Sequence, residues 1–122
     1  MTASFGAVSA PITQTITPPA VTTVAPGDVL GPFAIAYTNN TSALYQFYLQ
    51  EYVIGSNGNV RWWPPSGKWL LGDATRNVNK RFRARSWFKN GLYTFGILLT
   101  DTDGNIIDDD SFDFTVDTAS AP

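Results

Sequence analysis

Five aspartates, Asp101, Asp103, Asp108, Asp109 and Asp110, crowd into ten consecutive positions and are the densest set of side chains in the sequence that could hold a metal or move a proton. Calcium takes about six to eight hard oxygens, which several carboxylates on converging loops can supply. The spacing is not that of an EF-hand, because Gly104 stands fourth in a loop begun at Asp101 rather than sixth. The other reading is an acidic turn that keeps a sheet edge soluble and unpaired. A glycosidase acid and base need two carboxylates in a cleft, whereas these sit at the tip of a hairpin.

The chain has no histidine and no cysteine, and Glu51 is its one glutamate. Imidazole and thiolate carry most general-base, nucleophilic and zinc chemistry, so this inventory opposes an enzyme, and no cofactor is expected. What it supplies instead is aromatic surface: eight Phe, five Tyr and four Trp.

Trp62, Trp63 and Trp69 flank the Pro64, Pro65, Ser66, Gly67 turn. Neighbouring residues of a strand point to opposite faces, so Trp62 and Trp63 cannot both enter one core. Three uses stand open: packing within the domain, anchoring a protein contact, or stacking a sugar ring. Arg81, Arg83 and Arg85, with Arg76 and Lys80 near them, form the basic concentration. Strand alternation sets these arginines about 7 Å apart on one face, and Trp87 could stack a base. A net charge of -2 and a pI near 4.7 argue against nucleic acid, which a chain of this sign would hold weakly and release in salt. A solvated sheet face or a charged subunit contact remains, and the arginine row and acidic turn of neighbouring copies could pair to steer assembly. Asn39 to Ser42 holds two overlapping glycosylation sequons, read here as a turn.

The elements that must position these groups are strands. Pro11, Pro18, Pro19 and Pro26 deny a helix to the N-terminal region, which reads as an extended arm over residues 1–19. Ile12 and Ile16 alternate as an edge strand would, and the arm is either a frayed tail or lies on a neighbouring subunit. From Pro26 on, strand and turn signals recur at regular spacing. Phe33, Ile35 and Tyr37 share a face. Leu44 to Ile54 is apolar on both faces and reads as a central strand. Val60 to Trp63 and Lys68 to Leu71 are short pieces. Arg76 to Trp87 alternates Val78, Phe82 and Ala84 against the arginines. Tyr93, Phe95, Ile97 and Leu99 form the next strand, followed by a hairpin turn at Asp103 and Gly104. A break at Asp108 to Asp110 precedes a last strand with Phe112, Phe114 and Val116.

This is an all-β chain: a single antiparallel sandwich of about seven or eight strands over residues 20–117, with a short tail at 118–122. The run Asn90, Gly91, Leu92, Tyr93, Thr94, Phe95 resembles the Gly-x-Tyr-x-Cys segment of immunoglobulin strand F, with Tyr93 as a tyrosine corner and Phe95 in the cysteine's place. Pro26 and Gly27, Tyr37 to Asn39, and Asp103 to Asn105 are similar to the opening, the strand B end and the F–G turn of immunoglobulin-like and fibronectin-III-like modules of phage virion and bacterial surface proteins. The resemblance implies a fold rather than an activity.

At 122 residues the chain suits one domain, 43% hydrophobic residues suffice for a core, and 15% charged residues leave surface for contact. No run approaches the about 20 apolar residues of a membrane span, and membrane insertion is not expected. The N-terminus shows no basic and apolar leader pattern, so with Met1 native the chain is expected to be made without a secretion signal. These features point to a non-enzymatic structural protein that joins other copies of itself or other proteins of a larger particle, a virion capsid, decoration or tail component, and resides on that particle's surface. The contact residues expected are Ile12, Ile16, Trp62, Trp63, Trp69, Arg81, Arg83 and Arg85. The alternative is a glycan-binding or adhesion module that uses Trp62, Trp63 and Trp69.

Overall fold

The computed structural model describes residues 10–118. Nine strands follow one another: β1 (Ile12–Thr17), β2 (Thr23–Val24), β3 (Val29–Asn39), β4 (Tyr45–Ile54), β5 (Val60–Trp62), β6 (Ser66–Leu70), β7 (Thr75–Arg83), β8 (Gly91–Thr100) and β9 (Ile106–Val116). They form a small sheet ordered β1-β3-β7 and a large sheet ordered β2-β9-β8-β4-β5, with β6 also on β4. Every pairing is antiparallel except the short parallel one between β2 and β9. No helix among the described residues is long and apolar enough to cross a membrane.

Period-two alternation builds the core. In β3 the odd residues Phe33, Ile35 and Tyr37 are buried, and in β8 so are Tyr93, Phe95, Ile97 and Leu99. Phe33 meets Phe95 edge-on at 5.5 Å between ring centroids and Phe112 at 5.0 Å, which locks the two sheets face to face. The Tyr93 ring stacks between Phe88 and Phe114, and its hydroxyl donates to the Lys89 carbonyl at 2.8 Å. That bond back to the chain just upstream is the one a tyrosine corner makes. Gly104 takes φ +89° in the turn between β8 and β9, a conformation that favours glycine.

The structure corrects the sequence reading of the strands at three places. The arm is not separate from the sandwich: β1 runs antiparallel along β3 from Ile12 opposite Asn39 to Thr17 opposite Ala34. Ile12 is fully buried and Ile16 nearly so, within this domain's own core. They are therefore not available for another subunit, and no boundary falls at residue 19, since β1 and β2 on either side of it both pair with the sandwich. The arm's first nine residues, and the tail beyond Thr118, lie outside the described residues.

Second, β9 does not break at Asp108 to Asp110 but pairs with β8 through them. Asp108 Oδ2 and Asp110 Oδ2 each accept a backbone N–H from β1, of Gln14 and Ile16 respectively, at 2.8 Å. An edge strand with unsatisfied donors costs stability, and these carboxylates supply the acceptors a further strand would have given. Third, the arginine strand ends at Arg83. The chain then turns, and Phe88 N–H donates to the Arg85 carbonyl at 3.0 Å.

Candidate contact face

The face that distinguishes this sandwich is the outer side of the large sheet. Tyr52 of β4 stands directly opposite Trp62 of β5, and their rings lie 5.0 Å apart, tilted by 47°. The Tyr52 ring also covers Gly96 of β8, where an added Cβ would come within 2.2 Å of the ring. Glycine is needed there because the aromatic ring lies flat on the backbone. The Tyr52 hydroxyl donates to Asp109 Oδ1 at 2.7 Å. Burial, reinforced by that bond, pushes the Tyr52 phenol up to about 12. Tyr52 is thus a fixed post, and Trp62 leans on it while remaining half exposed.

The same face continues along β4. Tyr48 is exposed and lies beside Gly67 of β6, and Trp69 of β6 stands opposite Gln46. From Gln46 to Tyr52 a strand advances about 20 Å at 3.3 Å per residue, so Trp69, Tyr48 and Trp62 mark out a row along one flat surface. Exposure of 50% for Trp62 and 52% for Trp69 leaves about half of each residue in water, and with Tyr48 they form an apolar patch on one face of the kind that marks contact sites. Leu92 of β8, also on the outer side, extends the apolar surface toward β9.

Trp63 does not belong to this row. It turns to the opposite side of its neighbour, as strand geometry requires, and packs edge-on against Phe82 at 5.8 Å, partly buried on the core. Its removal from the contact and sugar-binding sets is a correction to the sequence reading. The Arg61 guanidinium lies over both the Trp63 ring and the exposed Trp87 ring, at 5.8 Å and 5.2 Å. That pairing was not foreseen, because it joins β5 to Trp87 in the loop between β7 and β8, far along the chain.

Arg81, Arg83 and Arg85 are exposed on the small sheet's side of the molecule, away from the tryptophan row. Arg83 Nη1 donates to the Gly27 carbonyl at 2.7 Å, tying the end of β7 to the turn before β3. Among the described residues no three acidic side chains gather as a metal site. The five aspartates are divided instead. Asp101 holds its own turn, accepting N–H bonds from Asp103 and Asn105 at 2.9 Å each, and the Asn105 backbone bond holds its carboxyl below the usual carboxylate range. Asp108 and Asp110 serve β1, Asp109 serves Tyr52, and Asp103 lies exposed in the turn.

No family model matches this chain, and neither does any curated protein. The architecture recurs in solved structures. One is the Pseudomonas fluorescens alkylpurine DNA glycosylase AlkC bound to DNA containing an abasic site analogue, at 13% identity and a TM-score of 0.65 over 88% of this chain. Another is a family 123 glycoside hydrolase from Clostridium perfringens that acts on glycolipid glycans, at 14% identity and a TM-score of 0.60 over 92% of this chain. The likeness is one of fold. This chain spans 30% of the glycosylase and 28% of the hydrolase.

Proposed function

We propose that this chain is a non-catalytic, immunoglobulin-like module that associates with further copies of itself through the outer face of its large sheet, as a structural component of a larger particle of the capsid, decoration or tail kind. The observation that carries the reading is the row of half-exposed Trp62, Tyr48 and Trp69 on one sheet face, with Trp62 seated against Tyr52, which Gly96 and Asp109 hold in place. Preorganised aromatic side chains lose little entropy on contact, and tryptophan and tyrosine dominate the anchors of protein interfaces. The fold assignment is supported by strand order: β1, β3 and β7 occupy the places of A, B and E, and β4, β8 and β9 those of C, F and G, with Tyr93 making the corner bond. Against catalysis stand the lack of histidine and cysteine and the engagement of Asp108, Asp109 and Asp110 in structural bonds.

A second reading is favoured by one feature. Gln46 lies on the same outer side as Tyr48 and Tyr52, between the rings of the row, and offers an amide beside aromatic faces, a pattern suited to stacking and hydrogen-bonding a glycan, while the neighbouring Gln50 amide is held by the Trp63 carbonyl at 2.9 Å. Sedimentation velocity of the full chain over a concentration series separates the two. Concentration-dependent oligomers that Trp62→Ser and Trp69→Ser each disperse support self-assembly. A monomer at all concentrations that binds a glycan array through the same tryptophans transfers the face to the second reading, and oligomers indifferent to both substitutions remove the face from either.

A further inference from the structure

At the edge lined by β7 and β6 the two sheets stand apart. In β7 the residues that share a side with buried Phe82 and Ala84 are Arg76, Val78 and Lys80, so these point between the sheets. Val78 is nonetheless 37% exposed, because the small sheet ends at β7 and no other described residue covers the gap beyond it. Across from it, Lys68 of β6 lies opposite Phe47 of β4 and so also faces inward. Between them is a cleft of about 320 Å³, with Tyr37, Phe47 and Leu49 in its floor and Trp69 at its margin. That volume reaches the range of small-molecule sites, which are mostly apolar with a few convergent polar groups.

The charges around the cleft are unbalanced. Lys80 and Glu51 form an ion pair across the gap between the sheets. Lys68 and Arg76 have no ion-pair partner among the described residues, although the chain as a whole carries a net charge of -2. Two cations at the lip of an apolar pocket, on an otherwise acidic molecule, are complementary to an anionic head on an apolar body. We propose that this cleft binds a small amphiphilic monocarboxylate, its tail lying on Tyr37, Phe47, Leu49 and Val78 and its head held at the lip by Arg76 and Lys68. The planar guanidinium suits a carboxylate's two oxygens, and Lys68 adds a second charge-assisted bond. Glu51, held by Lys80, repels a second carboxylate and so favours a single head group at the lip.

Titration calorimetry of the full chain with decanoate below its micelle concentration tests the site, and Trp69 fluorescence gives an independent readout. One decanoate should bind per chain, and Arg76→Gln and Lys68→Gln should each weaken it about tenfold, the loss of one charge-assisted bond. Both residues are at the surface, so these variants should keep the parent's melting temperature. Val78→Trp should fill the cleft and abolish binding, and decanol should bind more weakly than decanoate. No heat with decanoate, affinity unchanged in the Arg76→Gln, Lys68→Gln double variant, or equal binding of decylammonium would each overturn the proposal.

Discussion

Along β1 the gap between the two sheets is stitched shut, whereas along β7 it stands open, and both edges use polar residues turned toward the interior. At the closed edge Asp108 and Asp110 hand their carboxylate oxygens to backbone donors of β1. At the open edge Lys80 meets Glu51, while Arg76 and Lys68 point inward and pair with no carboxylate among the described residues. The difference lies in what faces each side chain. A charge that finds backbone N–H groups becomes part of the fold, and a charge that finds only water and apolar wall becomes surplus that a ligand can use.

The comparison is broken most severely from the closed side. Deleting residues 12–17 strips Ile12 and Ile16 from the core and leaves β3 without one of its two neighbours. Each buried isoleucine is worth about 2–5 kcal/mol, which together rivals the whole stability of a small domain, so the truncated chain should lose its cooperative melt by circular dichroism. An arm free to lie on another subunit would leave the melt unchanged.

Next in size are the clamps themselves. Asp108→Ala and Asp110→Ala each orphan a part-buried backbone donor and should cost about 1–3 kcal/mol apiece in urea denaturation. Asp108→Asn, which keeps an acceptor oxygen, should recover most of that loss. At the open edge Glu51→Gln should cost under about 1 kcal/mol, since its pair with Lys80 is partly in water. Equal losses at the two edges would erase the distinction.

The smallest effect is one of pH. The Tyr52 phenol is held protonated to about 12 in the folded chain, against an ordinary value of 10.0. Above pH 10 the unfolded chain releases a proton that the folded chain keeps, so the stability from this group is full below pH 10 and declines as pH rises toward 12. Urea melts between pH 8 and pH 11.5 should therefore slope downward less steeply in Tyr52→Phe than in the parent. Parallel slopes would mean that Asp109 does not hold the hydroxyl as the geometry indicates.

Much of the fold was legible because alternation is local. Phe33, Ile35 and Tyr37 announced β3, Tyr93 to Leu99 announced β8, and Asp103 with Gly104 announced the hairpin between β8 and β9. The corner bond of Tyr93 could be read from its place after Gly91. The contact face was half legible: the opposed directions of Trp62 and Trp63 follow from strand period, but which one is outward depends on Tyr52 and Phe82, each far along the chain. Least legible was β1. Its two isoleucines show the right spacing, yet what seats it is a pair of aspartates 94 residues away, whose sequence reads as a solubilising turn, a calcium site or a partner for the arginine row of a neighbouring copy.

The most direct test of the contact face is hydroxyl-radical footprinting of the full chain, read at single residues when dilute and when concentrated enough to associate. Protection that grows at Trp62, Tyr48 and Trp69 while exposed Trp87 and Ile106 stay reactive is the predicted result. Associated chains in which Trp62 and Trp69 react as freely as in the monomer would contradict it.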